Sequence, residues 1–192
     1  MKRKQTRMKG KARAIPPLDQ ARLESLALSY VARFATTKAK LISYLQRKIH
    51  ERGDFENMDR LNIDMIVNKL VGLGYIDDFS FAQSRSTSLL NRGYGKRRIQ
   101  QALKGAGIDE ITRHELMPNE MEVRKSAVKL AKRRRFGPFH GGELIDEIKS
   151  RPSREKQIAA MVRAGHDFNT ARTIIEAASK EELEAWLDRV EE

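Results

Sequence analysis

Two adjacent carboxylates, four histidines and a pair of glycines around a tyrosine are the residues here whose types and spacing could do chemistry. General acid–base catalysis needs two carboxylates across a substrate, whereas neighbours on a helix point in different directions. Asp77 and Asp78 precede an apolar helical stripe, so they read as capping acids that accept orphan N–H groups and complement the positive helix end. His50, His114, His140 and His166 have no metal-like spacing, and the chain has no cysteine to support a site. Each reads as a surface or loop histidine. Gly93-Tyr94-Gly95 precedes a basic helix and could hold a phosphate. It lacks the longer glycine spacing of nucleotide-binding loops and follows no strand, so it reads as an inter-helix hinge. No serine or threonine stands in a nucleophile motif. The expectation is a protein that is not an enzyme and carries no cofactor or metal.

The basic clusters say more. Lys96, Arg97 and Arg98 fall on the first turn of a helix, opposing the positive end of its dipole at a few tenths of a kcal/mol each. A polyanion or an acidic partner surface would offset that cost. Lys132, Arg133, Arg134 and Arg135 end a helix, where cations are favoured anyway. Lys104 and Arg163 complete the set of candidate partner or DNA contacts. The net charge is +12, but much of it sits in residues 1–17, with seven basic residues and no acid. Residues 18–76 hold nine basic against seven acidic residues, 77–118 seven against five, and 119–192 fifteen against fourteen. A basic tail favours nucleic acid; a solvated tail and a transit-peptide-like segment are its other readings. Three or four phosphate contacts give a log K against log salt slope of roughly −3 at ~0.7 per contact, a weak and salt-sensitive affinity for DNA. Single-strand binders add stacking aromatics. Only Tyr94 lies beside a basic cluster in an exposed turn, and Trp186 with most phenylalanines sits on apolar stripes, so DNA alone is an incomplete account.

These groups need helices to hold them. Apolar spacing of three and four predicts a helix over Leu18–Ala35, with Leu23, Leu26, Tyr30 and Phe34 on one face. Thr36 or Thr37 caps the next, carrying Leu41, Tyr44, Leu45 and Ile49 before Gly53. A polar connection over Asp54–Arg60 leads to a third, Leu61–Leu73, stopped by Gly74. A second unit follows: Asp77–Asn91, with Phe79, Ala82, Ser86, Leu89 and Leu90 as its stripe; Gly95–Lys104, with Ile99 and Leu103; and the short Asp109–Leu116. Asn119 and Glu122 have capping-box spacing and open a long helix to Arg135. Beyond it come a loop with an inner helix over Gly142–Lys149, a helix capped by Ser153 with Ile158, Met161 and Val162 inward, and another over Phe168–Ala178. Ser179 and Glu182 form a further capping box before a last helix, with Leu183, Trp186, Leu187 and Val190. The middle helices align at Leu41/Leu45, Ile99/Leu103 and Ile158/Val162. The expected fold is all-α, an elongated curved array of tandem three-helix repeats that lean on one another. Its parts are a disordered basic tail 1–17, repeats 18–76 and 77–118, and a third repeat 119–192 with an inserted loop 137–152.

Gly74-Tyr75-Ile76-Asp77-Asp78, Phe81-Ala82, Arg92-Gly93-Tyr94-Gly95, Arg98-Ile99, Leu103 and Gly107-Ile108 together resemble the RecX family of bacterial recombinase regulators. Arg134-Arg135-Phe136-Gly137-Pro138-Phe139, Arg154-Glu155-Lys156-Gln157-Ile158 and Arg163-Ala164-Gly165 look like its alphaproteobacterial branch. The family places a basic residue just before Gly107, where this chain has Ala106. The resemblance implies tandem three-helix repeats, with Gly74, Tyr75, Asp77, Asp78, Phe81, Ala82, Gly93, Gly95, Ile99 and Leu103 as the structural motif. It also implies a monomer that binds the RecA recombinase filament on single- or double-stranded DNA, and limits its extension, ATPase, strand-exchange and co-protease activities. The rival readings are a stand-alone nucleoid or helix-turn-helix DNA-binding protein and an unrecognised enzyme. No run approaches the length of a membrane span and no secretory signal is visible, so a cytoplasmic location is expected.

Overall fold

The computed structural model describes residues 18–52, 61–140 and 151–189. The tail 1–17, the stretch from Gly53 to Arg60, the inner helix expected at Gly142–Lys149 and Val190 lie outside them. Among the described residues there are ten α-helices and no strand. They are α1 (Gln20–Val31), α2 (Lys38–Arg52), α3 (Ile63–Gly72), α4 (Asp78–Asn91), α5 (Lys96–Gly105), α6 (Glu110–Glu115), α7 (Glu120–Arg134), α8 (Arg151–Arg163), α9 (Phe168–Glu176) and α10 (Lys180–Asp188), with a single 3₁₀ turn at Gly137–Phe139.

Local chemistry sets most boundaries. Asp19, Asn62, Asp77, Asp109 and Asp167 each cap the helix that follows, accepting a hydrogen bond from the backbone N–H three residues on. Asn119 and Glu122 close the expected capping box on α7. Gly74 takes φ +75, which lets the chain turn out of α3.

The core comes in three clusters. Leu23, Leu41, Leu45, Ile66 and Leu70 join α1–α3. Ala82, Leu89, Ile99, Leu103 and Ile108 join α4, α5 and the start of α6. Ala127, Leu130, Met161, Ile174 and Leu183 join α7–α10. At about 1.5–3 kcal/mol per large side chain removed from water, none of these offsets its own chain entropy comfortably, so the joints between clusters matter.

Several expected positions are corrected. Phe34 is 57% exposed and Phe79 41% exposed, because α1 ends at Val31 and because Ala82, Ser86 and Leu89 already fill the inner face of α4. In α8 the expected inward set holds, with Met161 fully buried and Ile158 and Val162 packed half-buried beside it. Ser153 lies inside α8 rather than at its cap. Glu182 does not complete its box: Ser179 accepts from the Glu182 N–H, but the Glu182 carboxylate reaches one residue further back to the Ala178 N–H. Tyr94 is half-buried against the middle cluster, and the Arg92 guanidinium lies 5.3 Å from its ring centre.

Candidate partner and nucleic-acid interface

Of the structural-motif residues, Ala82, Ile99 and Leu103 fill the middle core and Tyr75 is 56% exposed after Gly74, while others lie at two joints that both use the middle helix α5. At the first joint the far end of α5 meets the start of α2. Thr37, fully buried, caps α2 and donates its hydroxyl to the Ala106 carbonyl at 2.6 Å. Gly107 (φ +76) lies so close that a Cβ placed on it would stand 2.2 Å from the Ala39 Cβ. The two acids read as a capping pair divide their work. Asp77 caps α4 through the Ser80 N–H and hydroxyl, which hold its carboxyl below the usual carboxylate range. Asp78 instead accepts from the Lys38 N–H at 2.9 Å and so caps α2 across the joint. Phe81 packs on the middle cluster with the Lys40 ammonium 4.7 Å above its ring.

At the second joint the near end of α5 meets the end of α8. The Gly95 N–H donates to the Ala164 carbonyl at 3.0 Å and the Arg97 N–H to the Gly165 carbonyl at 3.1 Å. A Cβ on Gly95 would stand 2.3 Å from the Gly165 oxygen. The Ser126 hydroxyl donates to the Tyr94 carbonyl at 2.9 Å, and Gly93 lies against Leu130 of α7. Gly93-Tyr94-Gly95 is therefore a docking surface, not a hinge. Its phosphate-binding reading is weakened, because the Gly95, Arg97 and Arg98 N–H groups are already bonded within the chain. The negative end of α8 sits against the positive end of α5, so the cost of three cations on that first turn is offset within the molecule.

His166 is the largest departure from expectation. It is 0% exposed and lies between the second and third clusters. Its Nε2 is 3.1 Å from the Gly93 carbonyl, so Nε2 carries the proton. Its Nδ1 is buried with no hydrogen-bond partner among the described residues. Burial pushes its pKa down, against the opposing pull of the Gly93 carbonyl and the Asp167 charge. The sequence did hold a signal for this. Ala106-Gly107-Ile108-Asp109 with Thr112 recurs as Ala164-Gly165-His166-Asp167 with Thr170, and His166 falls where the buried Ile108 stands.

The nine basic candidates separate into three places. Lys96, Arg97 and Arg98 are exposed, with Arg98 bonded to Gln101 at 3.0 Å, and Arg163 ends α8 next to them. Lys132, Arg133, Arg134 and Arg135 end α7, Arg135 as its left-handed cap; Lys132 and Arg135 share a groove with Lys180 and Glu184. Lys104 stands alone at the other end of α5, where the fold brings it to Lys40 and Arg47 of α2, two residues not anticipated from sequence. Among the described residues no group of His, Cys, Asp and Glu could hold a metal ion, and no helix is long and apolar enough to cross a membrane.

The family model for the second three-helix domain of RecX matches residues 77–116, which hold α4–α6. The chain is 30% identical over 162 residues to the regulatory protein RecX of Myxococcus xanthus, covering 81% of this chain and 84% of that one. It is 23% identical over 142 residues to the protein of the same name from Vibrio parahaemolyticus, covering 70% and 86%. The crystal structure of RecX from Lactobacillus salivarius has the same fold, with a TM-score of 0.59 at 22% identity over 86% of this chain and 96% of that one.

Proposed function

This chain belongs to the RecX family, and from that premise we propose that it is a non-catalytic regulator of the RecA recombinase filament on DNA. It acts as a monomer in the cytoplasm, in repeats bounded at residues 18–76, 77–118 and 119–192, and lowers filament extension, ATP turnover, strand exchange and co-protease activity. The observation that carries the reading is the pair of matched joints. They tie three small helical clusters end to end, and each unit carries exposed basic residues. A rigid multi-unit surface suits a partner that is itself a repeating assembly. The stand-alone helix-turn-helix reading is weaker, because a recognition helix offers its N-terminal end to base edges. Here the backbone of that end of α5 is covered by Ala164 and Gly165.

The test is RecA ATP hydrolysis on single-stranded DNA with this protein far below one copy per recombinase. A fall in rate is expected. No change at any ratio, with DNA binding by the protein alone still measurable, would favour the stand-alone reading. Charge reversal at Lys96, Arg97 and Arg98 is expected to weaken filament binding; unchanged binding would remove that turn from the contact surface.

A further inference from the structure

The groove at the first joint encloses about 490 Å³ and is lined by Lys40, Arg47 and Lys104 with Tyr30, Tyr44 and Ser43 among its neighbours. Among the described residues no carboxylate lines it. Lys40 and Arg47 are seven residues apart, two turns on one face of α2, or about 10 Å along the axis. Lys104 reaches the same groove from α5. Neither lysine has an ion pair among the described residues; Arg47 is paired only at its rim, 3.6 Å from the exposed Glu51.

One wall is aromatic. Tyr30 and Tyr44 stack with ring centres 4.2 Å apart. Phe34, which is 57% exposed, lies tilted against Tyr30 at 5.3 Å and carries the strip out to the surface. The Arg47 guanidinium is 5.7 Å from the Tyr44 ring.

Three exposed cations, of which only Arg47 meets a carboxylate, next to a strip of rings match the chemistry of a single nucleic-acid strand. The backbone phosphates need spaced positive charge, and the unstacked bases need a flat apolar face. An acidic peptide would use the cations but has no use for the rings. Duplex DNA would use the phosphate sites but keeps its bases stacked away from the wall. We infer that this groove is a binding track for single-stranded nucleic acid, with phosphates on Lys40, Arg47 and Lys104 and a base against Phe34 at its mouth. The inference deepens the filament reading by naming where DNA lies, and it stands or falls separately from any effect on RecA.

The experiment measures binding of a fluorescein-labelled oligo(dT) by anisotropy across a salt series, on full-length protein. In Lys40→Gln/Arg47→Gln/Lys104→Gln the log K against log salt slope should be shallower by about 2, at ~0.7 for each of three contacts. Kd at 50 mM salt should rise at least tenfold. The basic residues outside the groove are common to all variants, so they cancel in the comparison. Phe34→Ser should weaken binding several-fold with the slope unchanged, since it removes stacking and no charge. Circular dichroism melts should overlay, because none of these four side chains is buried. An unchanged slope in the triple variant overturns the inference. So does full competition by poly-glutamate or duplex DNA at equal charge, which would assign the groove to another class of partner. If RecA hydrolysis is unaffected by the native protein while the triple variant still loses oligo(dT), the track stands and the filament reading fails. If the triple variant keeps its hold on oligo(dT) while the native protein still slows RecA, the reverse holds.

Discussion

The close approach of Gly107 to α2 can be measured as a coupling energy. Gly107→Ala puts a methyl group 2.2 Å from the Ala39 Cβ, where carbon atoms pack at about 3.5–4.0 Å. It also forces an L side chain into φ +76, at about 1–2 kcal/mol. The clash adds about 1–3 kcal/mol of overpacking. Ala39→Gly alone costs at most about 1 kcal/mol, since it sits in the first turn of α2. In the double variant the nearest Ala39 atom becomes its Cα at 3.7 Å, an ordinary contact. The φ strain stays and the clash goes. Urea unfolding of the four proteins should then give a favourable coupling of about 1–3 kcal/mol. Additive effects within ~0.3 kcal/mol would mean that Gly107 is required only for its backbone angle, and that the joint is looser than the geometry says.

Three further outcomes test the same architecture. His166 binds its proton less readily in the folded chain than at its ordinary value of 6.5, so the unfolded state holds more protons and stability rises with pH. The stabilisation is complete above about pH 6.5 and is lost below it, at up to ~1.4 kcal/mol per unit; urea midpoints from pH 7.5 to 5.5 should fall more steeply for the native protein than for His166→Leu, and parallel lines would reject the assignment. Thr37→Val leaves the Ala106 carbonyl unpaired and should cost about 1–3 kcal/mol in chemical unfolding, with Thr37→Ser recovering most of it; equal losses would point to packing instead. Arg124 lies 4.5 Å from the ring centre of Trp186, the only tryptophan, and donates to the Trp186 carbonyl at 2.9 Å. Arg124→Leu should therefore loosen α10 by about 1–2 kcal/mol and shift the tryptophan emission to the red, and an unshifted spectrum would refute the contact.

What the sequence made legible is what acts over three or four residues. Asp77, Asn119 and Gly74 are recognisable because a cap or a helix stop is settled within one turn, whatever the rest of the chain does. Ile99 and Leu103 are recognisable because four residues place them on one face. The roles of Gly95 and Asp78 were hidden because their partners lie far away in sequence: Ala164 for one, Lys38 for the other. A glycine that frees a turn and a glycine that admits another backbone look alike until the second backbone is known. Lys40 and Arg47 were hidden for the same reason, since they lie seven residues apart and only Lys104, across the joint, makes them a cluster.

The two joints follow one rule, which explains why the array needs no large core. The start of α2 (Thr37 to Lys40) and the start of α5 (Gly95 to Arg98) lie at the same interval in sequence as Gly107 and Gly165, the glycines that dock on them. Each unit sets an Ala-Gly turn against the first turn of the preceding middle helix, meeting the Thr37 hydroxyl and the Ala39 Cβ at the first joint and backbone N–H groups at the second. Contact of that kind is stiff, because a displacement of a few tenths of an ångström breaks hydrogen bonds instead of shifting a rotamer. The second joint differs from the first in having His166 where the other has Ile108. Protonation would place a charge in the second joint alone, so acid should release the third unit before the first two separate.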